Sequence, residues 1–251
     1  MAGPVAAPPP AISTALSQSN VRVTSGARGA RIAIDGAVFD AQAQPSDVVV
    51  LVRGPDQPIR IARKRRVAGL WVNGRPVRFE GAPGFYRAAS TRPLAQIAPA
   101  ATLRRMGAGV DNLVIDAPAE PRVEARYGAR DVVVSRGPDY ENWRAAAAQL
   151  RRNRGLYAED AAGVRFVDKH LFRADIDLPA AAPTGKYRAE IFLFQDGRPV
   201  ASQARELTVE KGGPERALYL FAKQRPWLYG LASVALALAA GWAASVAFRR
   251  T

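Results

Sequence analysis

The chain has 251 residues, 48% of them hydrophobic, which is enough to bury a core and excludes a wholly disordered protein. It contains no cysteine, which excludes disulfides, thiolate nucleophiles and Cys-built metal sites. The formal net charge of +14 would suit a polyanionic partner, but most of the basic residues are arginines in an Ala-rich chain, as a GC-rich gene would produce.

Short strands and tight turns characterise residues 21–210, which follow an Ala-, Pro- and Ser-rich leader over residues 1–20. The leader has no hydrophobic periodicity, so we expect either a flexible segment or the remnant of a signal peptide. An apolar run of strand length covers residues 47–52, and residues 59–63 alternate with period two. The pattern predicts a mainly β fold, an immunoglobulin-like β-sandwich ectodomain with one or two short helices.

Two hairpins are predicted from turn sequences. Asn73-Gly74 would join residues 69–72 to residues 75–79, and Asp196-Gly197 would join the strands on either side of it. Both dipeptides favour the positive φ angles of a two-residue type I′ turn.

A weak internal repeat leaves the number of β modules open. The sequence around residues 47–56 returns around residues 131–139, and that around residues 73–77 returns around residues 196–200. Two related modules with a break near residues 110–125 would explain both echoes. Chance similarity between turn-rich strands of one module explains them equally well.

One longer helix is predicted within the strands. Asp139 is a suitable N-cap, Gly155 would end the helix, and the hydrophobic face would consist of Trp143, Ala146, Ala147 and Leu150. Arg151, Arg152 and Arg154 would complement the helix dipole at its end. A shorter helix is expected to start at Pro93 and to stop before Pro99.

No combination of residues predicts catalysis. The single histidine, His170, precedes a predicted strand on which Asp175 and Asp177 share one face. A His–carboxylate base is conceivable there, but no serine elbow or metal-binding His pair accompanies it, and a solvated strand edge is the preferred interpretation. We therefore expect a non-enzymatic protein without a cofactor.

The densest positive charge surrounds the predicted Asn73-Gly74 hairpin. It comprises Arg60, Arg63, Lys64, Arg65, Arg66, Arg75 and Arg78. Such a segment could contact an anionic ligand or lipid surface, at roughly 1 kcal/mol per basic residue near a membrane. A solvated turn is the alternative. Nucleic acid is not the expected partner, because aromatic stacking residues do not alternate with the bases.

The strongest feature of the sequence is an uncharged C-terminal stretch, Pro226–Phe248. As a helix it would be about 35 Å long, sufficient to cross a bilayer. Trp227 and Tyr229 at one end and Phe248 at the other suit the headgroup boundary. We therefore predict a single transmembrane helix, preceded by a juxtamembrane linker over residues 211–225.

Small residues recur every four positions in the predicted anchor: Ser233, Ala237, Gly241 and Ser245. This stripe would allow close packing against a membrane-protein partner or a second copy of the chain. The alternative is that an Ala-rich helix shows the spacing by accident.

Basic residues flank the anchor on both sides, so the local charge leaves its orientation open. A tail-anchored protein with its β-rich part in the cytosol and an exported protein with that part outside are both consistent with the residues.

Three stretches of sequence bear on this choice. They are residues 66–73 with 85–94, residues 155–160 with 171–172, 178–179 and 185–187, and residues 224–230, which open the anchor. Together they resemble a family of predicted transmembrane proteins of alphaproteobacteria whose function is unassigned. The resemblance covers residues 16–250 and implies an extracytoplasmic domain with a short cytoplasmic tail over residues 249–251.

These observations lead to one functional expectation and one alternative. We expect an accessory or interaction protein of the bacterial inner membrane, with the lipid bilayer and a membrane-protein partner as its contacts and a periplasmic domain. The alternative is an envelope binding module that holds an anionic ligand or lipid surface with the basic segment.

Overall fold

The structure is a computed structural model, and it describes residues 11–17, 20–24, 29–39, 45–74, 76–117, 122–126, 129–133, 138–212, 222–223 and 226–248. The chain divides into two compact units, Met1–Glu210 and Lys211–Thr251. The first unit contains the strands and the short helices, and the second contains the C-terminal helix.

The strands, in chain order, are β1 (Ala11–Leu16), β2 (Asn20–Thr24), β3 (Ala30–Phe39), β4 (Asp47–Arg53), β5 (Asp56–Ile61), β6 (Lys64–Val67), β7 (Leu70–Asn73), β8 (Val77–Pro83), β9 (Tyr86–Ser90), β10 (Arg122–Arg126), β11 (Ala129–Val133), β12 (Tyr157–Asp160), β13 (Val164–Phe166), β14 (Leu171–Leu178), β15 (Gly185–Gln195) and β16 (Arg198–Gly212). The helices are α1 (Leu94–Ile97), α2 (Ala100–Met106), α3 (Tyr140–Asn153) and α4 (Pro226–Phe248), with a 3-10 turn at Val110–Asn112. The mainly β class predicted from the sequence is confirmed.

The described strands of the first unit form three sheets and one separate hairpin. Sheet 1 has the order β1-β3-β14-β13, sheet 2 has the order β12-β9-β4-β15-β16-β2, and sheet 3 has the order β10-β11-β8-β5. The β6–β7 hairpin pairs only with itself among the described strands. Two neighbouring pairs, β9–β12 and β8–β11, are parallel. An immunoglobulin sandwich is built from antiparallel sheets, and these parallel pairs do not belong to that pattern. The immunoglobulin-like fold therefore stays a prediction.

Sheets 1 and 2 line the main hydrophobic cluster. The sequence of β4 is nearly all apolar, and its five residues from Val48 to Val52 are all buried. In β14 the residues alternate, so that Phe172 and Ile176 point into the cluster while Arg173 points to solvent. Sheet 2 contains strands from both halves of the chain, with β4 beside β15 and β9 beside β12. The division into one or two modules, with a break near residues 110–125, stays a prediction.

A second, smaller cluster lies between sheet 3 and α3. Its buried members are Ile59, Phe79, Ala82, Ile115 and Ala147, and Trp143 and Leu150 pack against it. The predicted helix is confirmed. It begins after Asp139, whose side chain makes no capping hydrogen bond. Its predicted buried face is wrong at Ala146, which is exposed. Arg151, predicted only to complement the helix dipole at its end, is buried. The reason is that α3 packs on two clusters, with Ala147 in the small one and its neighbour Ala148 in the large one.

One predicted hairpin is confirmed and one is wrong. β15 and β16 are antiparallel, and Asp196 and Gly197 have φ angles of 48° and 76°, as a type I′ turn requires. Asn73-Gly74 does not form the turn of the other hairpin. The turn lies at Ala68-Gly69, with φ angles of 49° and 83°, and Gly74 N donates a hydrogen bond to Arg63 O at the hairpin's base.

The second unit contains α4, a 23-residue helix. Counting only the described residues, we find no helix both long and apolar enough to cross a membrane. The helix prediction for Pro226–Phe248 is confirmed as secondary structure, and its transmembrane character belongs to the proposals below.

Candidate functional site

The β6–β7 hairpin carries an unusual set of exposed side chains. Its register pairs Lys64 with Asn73 and Val67 with Leu70. Residues directly opposite one another in an antiparallel pair share a face, and faces alternate along each strand. One face therefore carries Val67, Leu70 and Val72, and the opposite face carries Lys64, Arg66 and Trp71.

Both faces of the hairpin are open to solvent. Leu70 is 70% exposed, Trp71 is 68% exposed and Val67 is 54% exposed. Lys64 and Arg66 are also exposed. Large apolar side chains in such numbers on one short element are characteristic of an interaction surface.

The hairpin's base is held against α3. The guanidinium of Arg63 lies 4.3 Å from the centroid of the Trp143 ring, a cation–π contact. Trp143 in turn packs against the smaller hydrophobic cluster. The Gly74 N–H bond to Arg63 O, 2.7 Å long, closes the same end of the hairpin. The exposed tip is therefore attached to the body of the unit at a defined place.

The predicted basic residues do not form one surface. Arg63, Lys64 and Arg66 belong to the hairpin or its base and are exposed. Arg60 and Arg78 lie in sheet 3, where they face each other in the β5–β8 register, and Arg78 is half-buried. Arg65 is on β6 with its side chain outside the described set, and Arg75 lies outside the described residues.

The charge around the hairpin is of one sign. Residues 57–79 contain seven basic residues and no aspartate or glutamate. Surface ion pairs neutralise basic residues elsewhere in this unit, for example Arg31 with Asp177 at 2.8 Å and Arg173 with Asp35 at 2.6 Å. Lys64 and Arg66 are exposed, and residues 57–79 contain no carboxylate, so the hairpin presents positive charge to solvent.

Sequence reasoning identified the bases of this site but missed its apolar part. Placing the turn at Asn73-Gly74 assigned Leu70, Trp71 and Val72 to a strand paired with residues 75–79, and apolar residues in a strand pattern normally enter a core. The signal that could have found it was Ala68-Gly69 between Arg66-Val67 and Leu70-Trp71, a short turn with basic and apolar residues on both sides.

A cavity of about 300 Å³ lies beside α1 and α2, but its polar groups are committed to holding loops. The Glu159 carboxylate accepts a 2.6 Å hydrogen bond from Val110 N. The Asn112 side-chain amide donates to Ala108 O at 2.7 Å. Outside the cavity lining, the buried Tyr86 hydroxyl donates to Gly107 O and accepts from Gly109 N, at 2.7 and 2.9 Å. Burial raises the pKa of Tyr86 well above its ordinary value, so the hydroxyl stays protonated. These hydrogen bonds explain the polar groups at the cavity by a structural role, which is to hold the neighbouring loops.

His170 is exposed, as the preferred interpretation of the sequence held. Its backbone carbonyl accepts a hydrogen bond from Val38 N. Asp177 pairs with Arg31, and Asp175 lies 3.5 Å from Arg165, so both carboxylates have arginine partners. Among the described residues no group of three or more His, Asp or Glu could hold a metal ion.

In α4, Ser233, Ala237, Gly241 and Ser245 fall along one side, since residues four apart are neighbours on a helix. The Ser233 hydroxyl donates to Tyr229 O at 2.8 Å, within the helix itself. Because the Ser233 hydroxyl already donates within its own helix, it does not require an acceptor on another helix. The packing role of the stripe stays a prediction.

Taken together, the described residues define a mainly β protein with an exposed basic and apolar hairpin and a C-terminal helix. The chain belongs to the family described as "Putative transmembrane protein (Alph_Pro_TM)", whose model matches residues 11–250. The family resemblance seen in the sequence is thereby confirmed. The description supports a membrane protein and names no activity. No curated protein matches the chain.

Proposed function

We propose that this protein is a membrane-anchored, non-enzymatic interaction protein of the bacterial envelope. The observation that carries the proposal is the uncharged 23-residue segment Pro226–Phe248, which is helical and follows the β-rich unit. The family description supports the same assignment. The anchor rests on the sequence and the family, because the described residues include no helix long and apolar enough to span a bilayer.

In this proposal the β-rich unit faces the periplasm and Arg249-Arg250 face the cytoplasm. Two basic residues on the short side of an anchor suit a cytoplasmic end. The basic residues between Lys211 and Arg225 oppose that orientation, but the charge rule loses force for long translocated domains.

The topology is tested with two reporters fused just before Pro226 in the full-length gene. A reporter active only in the periplasm should be active, and one active only in the cytoplasm should not. The reverse pattern would make the protein a tail-anchored cytosolic one. Resistance of the native protein to extraction by alkaline carbonate tests the anchor independently of its direction.

The interaction role is tested by purification from native membranes. A stoichiometric membrane protein that copurifies with the full chain, or a cross-linked dimer of the chain itself, is the expected result. A chain that elutes alone under mild detergent and without cross-links would contradict this role.

A second function is favoured by a specific observation: Arg63, Lys64 and Arg66 are exposed at the hairpin and its base, within residues 57–79, which contain no acidic residue. We propose that the hairpin contacts an anionic lipid surface. Each basic residue near such a surface adds about 1 kcal/mol of attraction, and the contact weakens within a Debye length of about 8 Å at physiological salt.

The test uses the full chain in proteoliposomes. The chain has no cysteine, so Asn73→Cys provides one labelling site at the hairpin's base. Nitroxide-bearing headgroups should quench a fluorophore there in anionic vesicles, and added salt should reduce the quenching. Replacing Lys64, Arg65 and Arg66 by Gln should abolish it, while Arg63 is kept because it holds the base against Trp143. Equal quenching in neutral and anionic vesicles would contradict a contact driven by charge, and the segment would then be a solvated turn.

A further inference from the structure

We propose that the tip of the β6–β7 hairpin inserts into the interfacial layer of an anionic bilayer. Val67 and Leu70, the outermost pair, lie below the headgroups, and Trp71 lies at their boundary. Lys64 and the long side chain of Arg66 reach the phosphates. This inference rests on the second function proposed above, contact with anionic lipid, and adds penetration to it. The occupant of the exposed apolar tip is therefore lipid.

The first argument is the lack of protein cover. Val67, Leu70, Val72 and Trp71 are at least 41% exposed. The hairpin pairs with no other described strand, and two isolated strands are only marginally stable in water. Apolar side chains of this size are driven from water into an apolar or interfacial medium.

The second argument is that the apolar groups occupy both faces. Leu70 and Val67 lie on one face, and Trp71 lies on the other with Arg66 opposite it in the register. A groove on a folded protein would cover one face of a two-stranded ribbon and leave the second in water. A lipid layer surrounds both faces at once.

The third argument is the order of side chains along the hairpin. Lys64 lies three residues before Val67, which is about 10 Å along a strand. Peripheral elements bury their apolar parts about 5–10 Å into the boundary between headgroups and acyl chains. A tip at that depth would bring the bases nearer the base of the hairpin to the level of the phosphates. Tryptophan is enriched at this boundary because its ring is amphipathic.

The fourth argument is charge complementarity and support. Residues 57–79 contain basic residues and no carboxylate, so an anionic bilayer attracts the hairpin. An acidic protein surface is the competing partner. The Arg63–Trp143 contact and the Gly74–Arg63 hydrogen bond attach the base to the body. Less conformational freedom is then lost when the tip enters the lipid.

The test places one fluorophore at the tip of the full chain, as Leu70→Cys, in proteoliposomes of neutral or anionic lipid. Nitroxides are attached to the headgroup in one set of vesicles and to the acyl chain in another. We expect acyl-chain quenching and a blue-shifted emission in anionic vesicles. Thr184→Cys, an exposed position outside the hairpin, is the control and should show neither. Replacing either Lys64 or Arg66 by Gln should lower the ratio of inserted to non-inserted tips about fivefold, equivalent to about 1 kcal/mol.

The outcomes separate this inference from the function beneath it. Headgroup quenching without acyl-chain quenching would overturn insertion while leaving surface contact in place. Quenching by neither nitroxide would overturn both. Protection of the same label in native membranes, but not in pure lipid, would assign the tip to a protein partner and would also overturn insertion. A further variant combines Val67→Ser and Trp71→Ser with the label at Leu70→Cys. It should lose acyl-chain quenching and keep headgroup quenching.

Discussion

The guanidinium of Arg63 lies 4.3 Å from the centroid of the Trp143 ring and so joins the base of the β6–β7 hairpin to α3. Trp143 packs on the small hydrophobic cluster, which contains the fully buried Phe79. A positively charged side chain in the exposed hairpin is therefore coupled to the packing of sheet 3 and α3.

Replacing Arg63 by Gln should loosen the hairpin without unfolding the unit. Loss of a cation–π contact at an exposed site costs about 0.5–1 kcal/mol. Amide exchange in Lys64–Asn73 should accelerate, while exchange at Phe79 stays unchanged. Arg66→Gln removes the same charge from a position on β6 that is paired with Trp71 rather than stacked on Trp143, and it should leave the exchange rates near wild type. Equal effects of the two variants would contradict a role for the Trp143 contact.

Ala68→Asn should make the hairpin more stable. Ala68 has a φ of 49°, a left-handed conformation that costs a residue with a Cβ about 1–2 kcal/mol. Asn tolerates that conformation, and Asn-Gly is the favoured pair for a type I′ turn. We expect amide exchange in β6 and β7 to slow by several-fold. Ala62→Asn, just before the hairpin and without positive φ, should not change it.

Gly36→Ala should destabilise the β-rich unit by about 1–3 kcal/mol, the usual cost of overpacking. Gly36 lies directly opposite Phe172 in the β3–β14 register, and a Cβ there would overlap the buried Phe172 ring. Denaturant unfolding measures the effect. The double variant Gly36→Ala with Phe172→Leu should be more stable than the sum of the two single effects, because the smaller side chain makes room. Simple additivity would show that the overlap is relieved elsewhere.

Alkaline pH should unfold the β-rich unit through its buried tyrosines. Burial raises the pKa of Tyr86, Tyr157 and Tyr187 in the folded chain, and each hydroxyl donates to a backbone carbonyl. Unfolded tyrosine titrates near pH 10, so the folded state holds these protons more tightly. Their contribution is complete below about pH 10 and is lost as the pH rises above it. Tyrosinate absorbance should appear for these three residues only together with loss of circular dichroism. Their titration within a folded chain would contradict the burial effect.

Gly241→Ile tests whether the small residues of α4 pack against another helix. If they do, the branched side chain should reduce cross-linking in native membranes without preventing insertion, because the helix remains apolar. Leu238→Ile, largely off the stripe, is the matched control. Identical cross-linking in Gly241→Ile and wild type would leave any assembly to the β-rich unit.

The sequence predicted those elements whose local chemistry agrees with their packing. The Asp196-Gly197 turn is one example: its positive φ angles join two strands whose inward residues, such as Tyr187 and Leu207, both enter the main cluster. Asn73-Gly74 is the opposite case. A hairpin there would have paired Phe79 outside sheet 3, whereas the structure pairs it with Ile59 and buries it fully. Burial of that ring outweighs the turn preference of Asn-Gly.

The features that the sequence did not predict depend on long-range packing. The sequence of α3 does not reveal that two clusters meet on it, so the burial of Arg151 could not be predicted from its helical spacing. The exposure of Trp71 and Leu70 could not be predicted either. Apolar residues in a strand pattern normally enter a core, and only the sheet topology shows that this hairpin lies outside the three larger sheets.

The pairing of distant segments has a consequence for biosynthesis. Ile32 on β3 pairs with Ile176 on β14, and β2 lies beside β16 at the edge of sheet 2. A nascent chain that has just emerged with its first third therefore lacks the strands that complete both sheets. Contacts so far apart in sequence make folding slow, because long loops must close before the pairing stabilises anything. Neither sheet can therefore be completed before the last strands of the β-rich unit have left the ribosome.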